Sequence, residues 1–286
     1  MSSKLAFILG CAAVAATSCT MSFAQEAEPP AEEPKVDEAL EAEIAYVEAL
    51  INSGYPDFAE PVIAATKAKW PESEVRFFAI EIRGMLSLGK FDEAERKIAA
   101  LPDRKGTKYW AARLEVANNY FNRGSEGKAE CMKIYDEFFK VFPTPPKDIR
   151  TFYMEASYAY GQLLFGDKKY GKAAQIYEGL LKEVKGEDWC NLASETVKIY
   201  LKRADELTDP KQAKEREDNL AAAEKIVDKL LWHLDQPVYF GQAVSMKAHI
   251  EVMRGNIARA QEIVEEYKPQ LLELHDQIVQ ADPEGL

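Results

Sequence analysis

The run Gly166-Asp167-Lys168-Lys169-Tyr170-Gly171-Lys172-Ala173 has the two glycines and the lysine of a phosphate-cradling loop, at the spacing such a loop needs. Backbone N–H groups would wrap the phosphate and Lys172 would neutralise it. The next position should then be Ser or Thr, whose hydroxyl holds Mg2+, and it is Ala173. No strand-like segment precedes the run, so no nucleotide is expected there. Gly124-Ser125-Glu126-Gly127-Lys128 is a weaker version of the same pattern. The three histidines, His233, His249 and His275, never stand four residues apart, and a zinc site needs three or four convergent ligands. No metal and no cofactor are expected. Acid pairs are frequent, but on surfaces this acidic they are background, and no cleft for a catalytic dyad is legible. Trp70, Trp110, Trp189 and Trp232 fall near helix ends and read as packing residues. The chain is expected to be non-enzymatic; the alternative of a hydrolase or small-ligand-binding protein would require a deep pocket lined with convergent polar groups.

The beginning of the chain carries an address. Lys4 precedes twelve apolar residues from Leu5 to Ala16, too few to span a bilayer core of about 30 Å as a helix. A charged start, a short greasy centre and the small residues of Ser22-Phe23-Ala24 make a secretory signal over 1–24, cleaved before Gln25. The alternative is a lipoprotein signal in which Cys19 becomes a lipid-bearing N-terminus, giving an outer-membrane assembly factor. The short leader and tail point to a bacterial envelope and a periplasmic location. Residues 25–35, with three prolines and four glutamates, are expected to be a disordered tether. No other segment reaches 18 consecutive apolar residues, so no membrane-spanning segment is expected.

The 286 residues carry a formal charge of −12, which argues against a broad grip on nucleic-acid phosphates. Much of the excess lies early: Glu26–Glu48 holds nine acids against one base. With 47% apolar residues and 10% aromatics the chain has ample material for a core.

What must position any functional residue is a repeated helical unit. Gly54, Gly89, Gly124 and Gly255 are each followed five residues later by alanine: Ala59, Ala94, Ala129 and Ala260. Ala173 and Ala223 extend the series without that glycine, at spacings of 35, 35, 44, 50 and 37 residues. Apolar stripes of helical period flank the turns: Leu40, Ile44, Val47 and Ile51; Phe78, Ile82 and Met85; Phe152, Ala156, Ala159 and Leu163. Glycine lets a helix reverse without the Cβ clash of a left-handed residue. The alanine marks a close helix approach, where a larger residue would cost about 1–3 kcal/mol. Pro71 and Pro143 are placed to end second helices. Asp209-Pro210 would start a long helix to about His233, and Leu271, Leu274, His275 and Ile278 one more amphipathic helix.

These features resemble the tetratricopeptide repeat. The segment Tyr160–Leu180 carries a small residue in its first helix, an aromatic at the turn, and Ala173, Tyr177 and Leu180 down its second; Leu88–Ala94 is nearly as full. Pro56 and Glu126 stand where the turn aromatic belongs, and the fifth unit lacks its glycine. The resemblance implies an all-α, right-handed α-solenoid of about six helix hairpins over 36–280, with a C-terminal capping helix and a disordered tail over 281–286. In that register Cys131 and Cys190 lie near opposite rims two units apart, too far for a bridge that needs Cα atoms within about 7 Å. The resemblance also implies that a concave wall of first helices binds an extended peptide or a partner's helix. The expected stripe is Arg76, Arg83, Asn118, Asn122, Tyr158, Gln162, Lys198 and His249, which reads as acid-poor and suited to backbone groups and a carboxylate.

Overall fold

The computed structural model describes residues 38–233 and 237–281. The expected leader 1–24, the tether 25–35, Cys19 and the tail beyond Ala281 lie outside the described residues.

Among the described residues there is no strand, and the helices pair as six hairpins. They are α1 (Glu38–Asn52) with α2 (Pro56–Lys69), α3 (Glu74–Ser87) with α4 (Phe91–Ala99), and α5 (Thr107–Asn122) with α6 (Lys128–Val141). Then follow α7 (Arg150–Gly166) with α8 (Tyr170–Leu180), α9 (Gly186–Glu206) with α10 (Ala213–Leu230), and α11 (Pro237–Arg254) with α12 (Ile257–Ala281). Each second helix leans on the first helix of the next hairpin, α2 on α3 through α10 on α11. First helices also pack on one another, α1 on α3, α3 on α5, α5 on α7 and α9 on α11. The fold is therefore an all-α solenoid, in which each hairpin hides its apolar stripe against its neighbours. One seam is missing: α7 and α9 scarcely meet, and the fourth and fifth hairpins are joined by α8 against α9.

The turn chemistry follows the glycines. Gly54, Gly89, Gly124 and Gly255 all have left-handed backbone, with φ between 64° and 85°. At the fourth turn the left-handed residue is Lys168 (φ 60°), two positions after the glycine the sequence offered. Ala59, Ala94, Ala173 and Ala223 are fully buried, and Ala260 nearly so.

Ala129 is the exception and corrects the register of the third hairpin: it is exposed. A one-turn 3-10 helix, Gly124–Glu126, delays α6, so that Cys131 falls three residues into its helix as Ala94 does in α4. Cys131 is fully buried and occupies the close-contact position. Burial pushes its thiol up to about 11, so at neutral pH it is a small apolar group rather than a nucleophile. No bridge joins it to Cys190, which is buried on α9. Ala94→Leu is expected to cost about 1–3 kcal/mol by overpacking, while Ala129→Leu stays within about 0.5 kcal/mol. Urea denaturation of both variants checks the register, and equal losses would overturn it.

The capping segment expected after Tyr267 is helical but not a separate helix. It is the second half of α12, which runs through Pro269. A proline removes one helix bond, yet the apolar stripe continues past it. Tyr267 packs edge-on against Phe240, and Leu271 lies against Gly241 of α11. Trp232 also departs from its expected packing role, being 86% exposed.

Two faces of α3 serve two cores. Phe77 and Ile80 close a small cluster with Ile44, Val47, Ile51, Ala59 and Ile63 of the first hairpin. Phe78, Ala79, Ile82 and Leu86 belong to the main core, which continues to α11. None of the described helices is long and apolar enough to cross a membrane.

Candidate functional site

Arg76 and Arg83 sit one above the other on α3, seven residues apart, on the face away from the second helices. The opposite face is fixed by Glu81, whose carboxylate bonds Lys67 of α2 and Lys97 of α4 at 2.6 Å each. At 100° per residue, Arg83 lies about 160° round the helix from Glu81. Arg76 forks onto Glu41 of α1, at 2.5 and 3.0 Å. Arg83 forks onto Glu115 of α5, at 2.9 and 2.7 Å, and reaches Glu48 of α1 at 3.1 Å. Polar rungs thus cross from one first helix to the next.

These partners correct the expected character of the stripe. It is not acid-poor: the cations expected to meet a ligand are engaged by Glu41, Glu48 and Glu115. Glu115 is 2% exposed, and burial raises its carboxyl above the usual range even with Arg83 beside it. The paired guanidinium of Arg83 is held above its ordinary value, chiefly by its bonds to Glu115. Glu155 of α7 lies within electrostatic reach of the same rung. It is exposed, and partial desolvation and repulsion by Glu115 raise its carboxyl against the more distant pull of Arg83 and Arg76. It makes no hydrogen bond or ion pair among the described residues.

Asn118 does not point cleanly away from its own hairpin, because its side-chain oxygen accepts the hydroxyl of Tyr135 on α6 at 3.0 Å. Asn122 is exposed at the end of α5.

Where α7 and α9 part, the wall opens into a slot of about 280 Å3 lined by Gln162, Phe165, Tyr177, Glu195 and Ile199. Its floor is the ring of Tyr177, which stacks on Tyr158 with centroids 5.9 Å apart and planes 6° from parallel. The Tyr177 hydroxyl donates to the Tyr158 carbonyl at 3.2 Å. Gly161 makes room for that ring, since a Cβ there would lie 1.9 Å from Tyr177 Cε1. Lys198 bonds Glu195 at the rim, at 2.6 Å. Of the expected stripe, the structure thus gathers Tyr158, Gln162 and Lys198 around the slot, while Arg83 and Asn118 lie away from its lining, on α3 and α5. Arg76 stands on the first rung, and His249 is exposed on α11 with no contact to the others.

Glu41, Glu48, Glu115, Glu155, Phe165 and Glu195 were missing from the sequence-derived stripe. The heptad spacing of Glu41 and Glu48, matching that of Arg76 and Arg83, was the one available signal.

The phosphate-loop run proves to be the hairpin turn between α7 and α8. The Lys172 ammonium is engaged by Asp136 at 2.5 Å, over the ring of Tyr160, and Lys128 pairs with Asp167. Among the described residues no group of three or more His, Cys, Asp or Glu is placed to hold a metal. A larger opening of about 410 Å3 between α2 and α3–α4 is spanned by the Lys67–Glu81–Lys97 clamp.

The class defined by this geometry is a helix-hairpin solenoid with a polar first-helix wall. No protein-family model matches the chain, and no curated protein matches it. Among solved structures it is similar to a tetratricopeptide repeat protein from Parabacteroides merdae. The identity is 16%, over 86% of this chain and 88% of that one, with a TM-score of 0.38.

Proposed function

We propose that this chain is an exported, non-enzymatic scaffold of tetratricopeptide type that holds a protein partner along its first-helix wall. The observation that carries this is the slot between α7 and α9, the place where the wall opens onto an aromatic floor with polar groups at its edge. Engaged cations elsewhere on the wall favour recognition over chemistry, since a nucleophile or acid–base pair needs a free group poised at a substrate. The short leader supports export to the periplasm, with the lipid-bearing Cys19 form as the second reading.

A photoreactive residue placed at Gln162 is expected to crosslink a partner protein in the native envelope, and the same residue at Lys97, on the second-helix side, is not. Crosslinks that favour Lys97 would overturn the assignment of the wall. Mass spectrometry of the mature chain should give Gln25 as the first residue; a diacylglyceryl Cys19 would establish the anchored form, and an intact Met1 would overturn export by a cleaved leader.

A further inference from the structure

Resting on the scaffold function proposed above, we infer that Glu155 and the α7–α9 slot together select the partner. The segment they select is an extended peptide carrying a lysine or arginine about three residues from a large apolar side chain. The slot supplies the apolar half. At about 280 Å3 it is smaller than the roughly 300–1,000 Å3 of a small-molecule pocket, and it suits a single inserted side chain. Its floor is held in place, because Tyr177 is pinned between Tyr158 and Gly161, and Phe165 presents a partly exposed ring to it. A preformed aromatic floor binds a ring or branched aliphatic group without first having to be ordered.

Glu155 supplies the charged half. Glu48 and Glu115 are both bonded to Arg83, whereas Glu155 feels Arg83 and Arg76 only at a distance and pairs with neither. An arriving ammonium or guanidinium would give Glu155 the direct ion pair that it makes with none of the described residues, whereas an acidic segment would be repelled. At the slot itself Glu195 is balanced by Lys198, so the surplus of negative charge lies on the Glu155 side.

Spacing joins the two halves. Glu155 and Gln162 are seven residues apart on one face of α7, about 10.5 Å along its axis. An extended peptide in polyproline II geometry advances about 3.1 Å per residue and turns once every three residues, so a cation at Glu155 and an apolar group at the slot, facing the same wall, are about three residues apart.

The test is a display library of random decapeptides selected against the full chain, followed by fluorescence titration of the selected peptides. Enriched sequences are expected to pair Lys or Arg with Phe, Leu, Ile, Met or Trp three positions away. Glu155→Lys should weaken such a peptide more than about tenfold, and its Lys→Glu counterpart should recover binding to that variant. Gln162→Trp, which fills the slot, should remove the apolar preference while leaving the charge preference. Both positions are exposed, and unchanged thermal melts would show that the variants fold. Enrichment of any other pattern, no enrichment, or a failed charge exchange would overturn the inference. The scaffold function is decided separately by the Gln162 and Lys97 crosslinks, so the two can fail independently.

Discussion

Gly161→Ala is expected to destabilise the chain by about 3 kcal/mol, although the same exchange in an ordinary helix interior stabilises by about 0.5–1 kcal/mol. The reversal of sign comes from the ring that glycine admits. A Cβ at position 161 would lie 1.9, 2.5 and 2.7 Å from three atoms of the Tyr177 ring. The ring cannot swing aside cheaply, being 3% exposed, stacked on Tyr158 and tied by its hydroxyl to the Tyr158 carbonyl. Either the tyrosine leaves its stack or α7 and α8 separate, and both open the main core. Gly179 provides the control, since it lies within α8 with nothing within 4 Å of an added Cβ. Gly179→Ala should raise stability by up to about 1 kcal/mol. Urea titration of the two variants, with Gly161→Ala/Tyr177→Leu as a third, tests the mechanism. The shortened floor should recover part of the loss; a Gly161→Ala chain as stable as the parent would refute the clash.

Arg83→Ala is expected to cost about 2–4 kcal/mol at neutral pH. Deleting one partner of a buried pair typically costs about 3–5 kcal/mol, because the other charge is left without compensation. Arg83 is 29% exposed, which reduces the figure, but Glu115 is enclosed and would keep only water-poor surroundings. Glu115 would respond by taking up a proton, and this gives the prediction its pH signature. A carboxyl whose folded value lies above its unfolded 4.5 contributes stability below 4.5 and loses it as pH rises through the folded value. Without Arg83 that folded value climbs further. The deficit of the variant relative to the parent should therefore be largest near pH 7.5 and shrink towards pH 5. Glu115→Gln added to Arg83→Ala should recover most of the loss, since the neutral amide leaves no charge to bury. Equal deficits at both pH values would assign Arg83 a packing role instead. The comparison with the parent matters, because Glu41, Glu81 and Asp136 are shifted the opposite way and weaken both proteins in acid.

The hairpin architecture was legible because its signals are local. A left-handed glycine five residues before a buried alanine is a property of one turn, and Gly54, Gly89 and Gly255 carry it with the helices on either side. Legibility failed where a turn departed from the common form. At the third turn the inserted 3-10 segment moved the close contact from Ala129 to Cys131, and cysteine is small and apolar enough to take an alanine's place. At the fourth, Lys168 adopted the left-handed backbone that Gly166 offered.

The candidate site was legible only in part, for a different reason. Helical spacing showed which residues share a face, and Tyr158, Gln162 and Lys198 do stand around one opening of the wall. The partners of Arg83 are 35 and 32 residues away on other helices, and no local periodicity reveals which acid a guanidinium will choose. The stripe therefore looked cationic until its counter-charges were in place. The slot arises from an absent contact between α7 and α9, a property of how hairpins stack and of no single segment.

That missing seam also makes one junction of the stack unlike the others. A stack stitched along two lines resists bending, whereas one stitched along a single line behaves as a hinge about that line. Between the fourth and fifth hairpins the remaining stitch is α8 on α9, so a rotation about that line would leave every hairpin intact while changing the width of the mouth beneath Gln162. A side chain seated in it would touch α7 and α9 at once, bridging two successive first helices that scarcely meet directly.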